Sequence, residues 1–140
     1  MNILLAIDGS SASDRAARHV VQLAGQLQSP PTLLMVNVCA PLLPQAARKL
    51  GRKSTTEYYA SGSEYAVRKA RSILDRAGVA YSEAFPVGDA AGELTRLADK
   101  HDIDLLVMGS RGQTALKGLL LGSVASRVLA LSKVPVTVVR

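Results

Sequence analysis

Four nearly unbroken apolar runs punctuate the chain: Asn2 to Ile7, Leu33 to Val38 interrupted only by Asn37, Leu105 to Met108, and Val134 to Val139. A strand that is apolar at successive rather than alternate positions is covered on both faces, the situation of parallel strands with helices above and below. The intervening segments agree. Apolar residues recur there at helical spacing: Ala17, Val20, Ala24 and Leu27; then Ala66, Ala70, Ile73, Leu74 and Ala77; then Leu94, Leu97 and Ala98. Alternating strands and helices impose right-handed crossovers and a doubly wound sheet.

Local signals place the boundaries. Ser11 with Asp14 three residues later resembles a capping pair, Asp89 is positioned to cap the third helix, and Gly78 sits where the second should stop. A fourth helix is predicted from near Ser123 to a point before Pro135. Val79 to Val87 reads as a further strand, and Ser82, Glu83 and Pro86 argue that it lies at an edge. The expected fold is α/β: one domain over residues 1–140, with five strands and helices on both faces. Pro41 to Thr56, with Arg48, Lys49, Arg52 and Lys53, shows no periodicity and reads as a mobile basic loop.

The 140 residues, 48% hydrophobic and 20% charged, suit one folded domain with its own core. No apolar stretch approaches the roughly 20 residues that span a bilayer, and MNILLAI lacks the length and positive flank of a signal peptide. Cys39 is the single cysteine, so no intramolecular disulfide is possible; a cytoplasmic protein is expected, with Cys39 a small buried residue at a strand end. The net charge of +6 draws in anions without choosing among nucleotide, nucleic acid and acidic lipid.

The stretch from Gly109 to Ser123 narrows the choice. In an open α/β sheet, ligands bind beyond the carboxyl ends of the strands where the winding reverses. That crevice should bring Asp8-Gly9-Ser10 beside Gly109-Ser110-Arg111-Gly112. Glycines that adopt positive φ let a phosphate reach main-chain N–H groups, so Gly109 and Gly112 are expected to form a cradle. Gly122 and Ser123 open the last helix, whose N-terminal N–H groups favour an anion, with Arg111 and Lys117 supplying charge. Neither G-x-G-x-x-G after the first strand nor G-x-x-x-x-G-K-[ST] occurs. A plain glycine-rich turn, an Asp8 that merely serves its own loop or the first helix, a solvated Arg111 and a Ser123 acting only as a cap are the competing readings.

The full spacing Gly109-x2-Gly112-x9-Gly122-Ser123 resembles that of the universal stress proteins, specifically their ATP-binding branch. Ala6-Ile-Asp8-Gly-Ser10, Val36-Asn-Val38, Asp104 to Gly112, Leu121-Gly-Ser-Val124 and Pro135 to Val139 extend the likeness along the whole chain. The resemblance implies a Rossmann-like sheet of order 3-2-1-4-5 with ATP across the strand ends. It implies that Asp8 contacts the adenosine portion and the Val38 backbone the adenine. Gly109, Ser110, Arg111, Gly112, Gly122, Ser123 and Val124 would contact ribose and phosphates, with Mg²⁺ or Mn²⁺ carried by the phosphates. It also implies a homodimer through Val134–Val139, whose unpaired edge invites a second copy.

No catalytic set accompanies this cradle: His19 and His101 lie away from the strand ends, and Asp8 is the one carboxylate near the expected phosphates. A nucleotide-dependent regulator or sensor is therefore expected, without a dedicated enzymatic activity and with ATP turnover slow or absent. Two alternatives remain, a scaffold or chaperone-like domain with no nucleotide and a nucleic-acid binder using Arg48 to Lys53 with Arg68, Lys69 and Arg71. One Phe, no Trp and no reader motif argue against the latter.

Overall fold

Strand β1 (Asn2–Ala6) is the centre of the molecule. Ile3, Leu4 and Leu5 are all fully buried, and because alternate side chains point to opposite faces they feed two separate cores. The computed structural model describes residues 1–113 and 120–140. After β1 come α1 (Ser11–Ala24), β2 (Thr32–Val36), α2 (Pro44–Arg76), β3 (Ser82–Ala84), α3 (Ala90–Lys100), β4 (Leu105–Gly109), α4 (Ser123–Leu131) and β5 (Val136–Val139). The strands form one sheet in the order β3-β2-β1-β4-β5, every pair parallel.

Ile3 and Leu5 pack with Leu33 and Met35 under α1 and α2, against Ala16, Val20, Val67 and Leu74. Leu4 packs with Leu34 and Leu106 on the other face, against Leu94, Leu97 and Val128 of α3 and α4. Burying each such side chain contributes about 1.5–3 kcal/mol. The wet strand is at an edge as expected, though only Ser82–Ala84 pairs regularly; a single bridge from Val87 to Cys39 follows it. Its Glu83 accepts from Arg71 Nε and Nη2 at 2.6 and 2.9 Å, and Arg71 also pairs with Glu64. Both carboxylates hold the Arg71 proton more firmly than usual, and the contact draws α2 onto the edge strand.

Two expectations need correction. The stretch from Pro41 to Thr56 is not a loop: α2 begins at Pro44 and continues past Gly51, whose φ of 77° and ψ of 165° divide it in two. Pro44 at the first helical position supplies a preset φ, and Ala46, Ala47, Arg48, Lys49 and Leu50 are good helix formers. The segment is almost wholly exposed, so no buried face wrote a period into it. The cap of α1 is Ser10 rather than Ser11: its extended backbone precedes the helix and its Oγ accepts from Ser13 N at 3.2 Å. Gly78 stops α2 as expected, at φ 66°, with Val79 N donating back to Leu74 O.

Candidate functional site

A cleft of about 910 Å³ opens at the carboxyl ends of β1, β2 and β4. Parallel strands that end together between outward-turning crossovers leave such a crevice at the reversal of winding. Asp8, Val38, Gly109, Ser110, Arg111, Gly112, Gly122, Ser123 and Val124, all expected at the site, line it together. Lys117 lies outside the described residues.

The floor is tied together by main-chain and amide bonds. Asn37, the polar interruption in the second apolar run, is buried and donates through Nδ2 to Ile7 O at 2.8 Å, joining the exits of β2 and β1. Asp8 joins the exits of β1 and β4. Its Oδ1 accepts from Ser10 N at 3.0 Å and its Oδ2 from Gln113 N at 3.2 Å, while Gln113 Nε2 donates to Asp8 O at 2.7 Å. Asp8 thus serves its own loop and the facing one at once, and a carboxylate has lone pairs left after two such bonds.

The glycines are needed for space rather than for positive φ. Positive φ occurs at Gly9, Gly51 and Gly78, not at Gly109, Gly112 or Gly122, so the expected left-handed cradle is not how this loop works. A Cβ on Gly109 would stand 2.7 Å from Ala12 C and 2.8 Å from Ser13 N, the close seating of β4 on the start of α1. A Cβ on Gly112 would meet Asp8 Oδ2 at 2.7 Å, so a side chain there would break the bond between the two loops.

The helix ends around the cleft carry its electrostatics. Ser13, Ala90 and Ser123, from the first turns of α1, α3 and α4, all line it. Ser10 caps α1, and Asp89 caps α3 by accepting from Gly92 N at 2.9 Å. The cap position of α4 is Gly122, which has no side chain to offer. Ser126 N donates to Gly122 O, closing the first helical turn. The N–H groups of Ser123, Val124 and Ala125 precede that first intrahelical bond and have no protein acceptor among the described residues. They converge on the cleft with the positive end of the helix dipole.

The outer wall is α2, which sequence reasoning missed. Tyr58, Tyr59, Ser61, Gly62 and Tyr65 line the cleft from that helix, and their recurrence at helical spacing was the signal available. Cys39 is half-exposed on the cleft rather than buried, its Sγ 3.1 Å from Ser63 Oγ. Arg68, Lys69 and Arg71 each face a protein partner: Lys69 faces Asp14 at 3.6 Å, Arg71 holds Glu83, and Arg68 lies over the ring of Tyr65 at the cleft. Among the described residues no group of three or more His, Cys, Asp or Glu side chains could hold a metal ion, and no helix is long and apolar enough to cross a membrane.

Comparison with known proteins agrees with this architecture. The sequence is 31% identical to Universal stress protein MJ0531 of Methanocaldococcus jannaschii, over 99% of this chain and 81% of that protein. It is 32% identical to Universal stress protein YxiE of Bacillus subtilis, over 99% and 97%. A universal stress protein solved in complex with cAMP superposes with a TM-score of 0.73 at 27% identity, covering 100% of this chain and 97% of the other. The model of the Universal stress protein family matches residues 1–140, and the chain belongs to that family.

Proposed function

We propose that the cleft binds ATP and that the protein acts as a nucleotide-dependent regulator in stress response, with ATP turnover slow or absent. The observation that carries this reading is the open start of α4: three N–H groups and a helix dipole, left without a side-chain cap, on a cleft of about 910 Å³. Ser123 and Arg111, which also line the cleft, would meet the phosphates. Asp8, with acceptor capacity remaining, would accept from the ribose hydroxyls, and the main chain of Val38 would meet the adenine edge. A similar protein solved with cAMP supports an adenine nucleotide.

Mg²⁺ or Mn²⁺ fits as a companion of the phosphates, held by phosphate oxygens and water, the hard donors that these ions prefer. The described residues offer one carboxylate at the cleft, Asp8, and it already accepts two main-chain N–H bonds. This single committed acid supports binding over hydrolysis, which needs a positioned water and a charge clamp. The outer edge of β5 supports a homodimer through Val134–Val139, because β5 pairs on one side only; light scattering at micromolar concentration should give twice the chain mass.

Calorimetry of the purified protein with ATP and Mg²⁺, together with mass spectrometry of nucleotide released by heating, tests the ligand. Binding should raise stability by about 2.7 kcal/mol at a hundredfold excess over Kd. No heat and no thermal shift at millimolar ATP would refute the reading.

A further inference from the structure

We propose that the face of α2 bearing Tyr58, Ser61, Gly62 and Tyr65 is the stacking site for the base of the bound nucleotide, selecting a purine by its larger ring face; this rests on the nucleotide reading above. The four residues follow the i, i+3, i+4, i+7 pattern of a single helix face, and all four line the cleft. The chain has four tyrosines, one phenylalanine and no tryptophan. Three of those tyrosines, counting Tyr59, stand at this one cleft. Tyr58 and Tyr65 are 54% and 69% exposed, so core packing does not explain them. Their surroundings nonetheless hold the rings: Tyr58 meets Tyr59 edge to face at 5.7 Å, and the Arg68 guanidinium lies 5.6 Å from the Tyr65 centroid.

Gly62 is the decisive position. A glycine inside a helix weakens it relative to alanine, and two structural reasons can require one, a positive φ or a close neighbour. Gly62 has neither: its φ is not positive, and a Cβ built on it would meet nothing within 4 Å. What the missing side chain leaves is open cleft between two exposed aromatic rings. The end of β2 runs close beside this face, since Cys39 Sγ lies 3.1 Å from Ser63 Oγ and 3.9 Å from Tyr59 O. Among the described residues the N–H and C=O of Val38 have no protein partner, whereas Asn37 N and Cys39 N donate to Ala84 O and Pro86 O. A flat heterocycle placed there offers its edge to the Val38 main chain and its face to α2, and aromatic stacking of bases is general protein chemistry.

Gly62→Leu projects a side chain into space where a Cβ meets no atom within 4 Å, and Tyr65→Ala removes a ring that the core does not use. Both are compared with wild type by calorimetry with ATP and with CTP, by thermal melting, and by tyrosine emission, which is free of tryptophan signal in this chain. Wild type should bind ATP more tightly than CTP and change its tyrosine emission on binding. Gly62→Leu should bind ATP about ten-fold more weakly or worse while melting no lower than wild type, and Tyr65→Ala should lose about ten-fold in affinity and most of its preference for ATP over CTP. If wild type binds ATP and both variants bind it within two-fold of wild type with unchanged emission, the stacking site is overturned and the nucleotide reading stands. If wild type binds no nucleotide, both fall.

Discussion

The starts of α1 and α4 face the same cleft from neighbouring strands and differ in one side-chain cap. At α1 the protein supplies its own acceptors: Asp8 Oδ1 takes the N–H of Ser10, and Ser10 Oγ takes that of Ser13. At α4 the cap residue is Gly122, and the next three N–H groups have no protein acceptor among the described residues. Two helix ends with the same dipole therefore do different work. On the reading proposed above, the first holds the fold and the second meets the phosphates of a ligand. The difference lies in one side chain, Ser10 against Gly122, so exchanging that chemistry should exchange the roles.

The largest effect should come from giving α4 the acceptor that it lacks. Gly122→Asp places a carboxylate where the three N–H groups converge, satisfying one of them and repelling phosphate. A Cβ at this position comes within 3.3 Å of Arg111 Cα and 3.4 Å of Ser110 O, tight but without the overlap found at Gly109. ATP affinity should fall on the order of a hundred-fold, about 3 kcal/mol, since charge-assisted bonds of this kind contribute about 1.5–3 kcal/mol each. Calorimetry reads the loss, and an affinity within three-fold of wild type would show that the open helix end is not where the phosphates sit.

Gly109→Ala should come next, and it acts on the closed end. The added methyl would drive into Ala12 C and Ser13 N at 2.7 and 2.8 Å, atoms of the first turn of α1 that can move only if the helix lifts off β4. Overpacking of this kind costs about 1–3 kcal/mol, visible as a lower Tm in the absence of nucleotide. Ser10→Ala should cost about 1 kcal/mol through loss of the cap, a Tm lower by about 3–5 °C, while ATP affinity changes less than about three-fold. If Ser10→Ala abolished binding and spared stability, the division of labour between the two helix ends would be wrong.

The parts of the molecule that could be read ahead of the structure are those with two-sided burial. Ile3, Leu4 and Leu5 are apolar in succession because α1 and α2 cover one face and α3 and α4 the other, and that pattern leads directly to a parallel sheet. The glycine spacing from Gly109 to Gly122 points to the cleft, but the positive φ expected of Gly109 and Gly112 is absent. Residue type shows that a Cβ is missing; it does not show that Ala12 lies 2.7 Å away. The stretch from Pro44 to Thr56 was illegible for the opposite reason. It folds without burying a face, so nothing in its apolar pattern distinguishes helix from loop, and the wall it leads into, with Tyr58 and Tyr65, went unread with it.

The smallest effect concerns α3, the other self-capped helix at the cleft. Asp89 accepts from Gly92 N and pairs through both oxygens with Arg127 of α4, at 2.6 and 3.0 Å. The Arg127 guanidinium, and after it the Gly92 N–H, hold the Asp89 carboxyl below its ordinary range, as Arg96 does for Glu93. A carboxyl whose pKa is lower in the folded than in the unfolded state stabilises the fold fully above the unfolded value, near pH 4. That contribution fades as the pH falls through the folded value. Asp89→Asn keeps an acceptor for Gly92 N but removes the charge, so its Tm should match wild type closely at low pH and drop slightly below it at neutral pH. The melting temperature should therefore fall less steeply than that of wild type as the pH goes from about 5 to about 3. Because this pair is exposed and screened, the gap should shrink further in high salt. Identical slopes for the two proteins would mean that the charge on Asp89 adds nothing to the neutral cap. The contrast with α4 would then rest on the presence of an acceptor alone, as it does between Ser10 and Gly122.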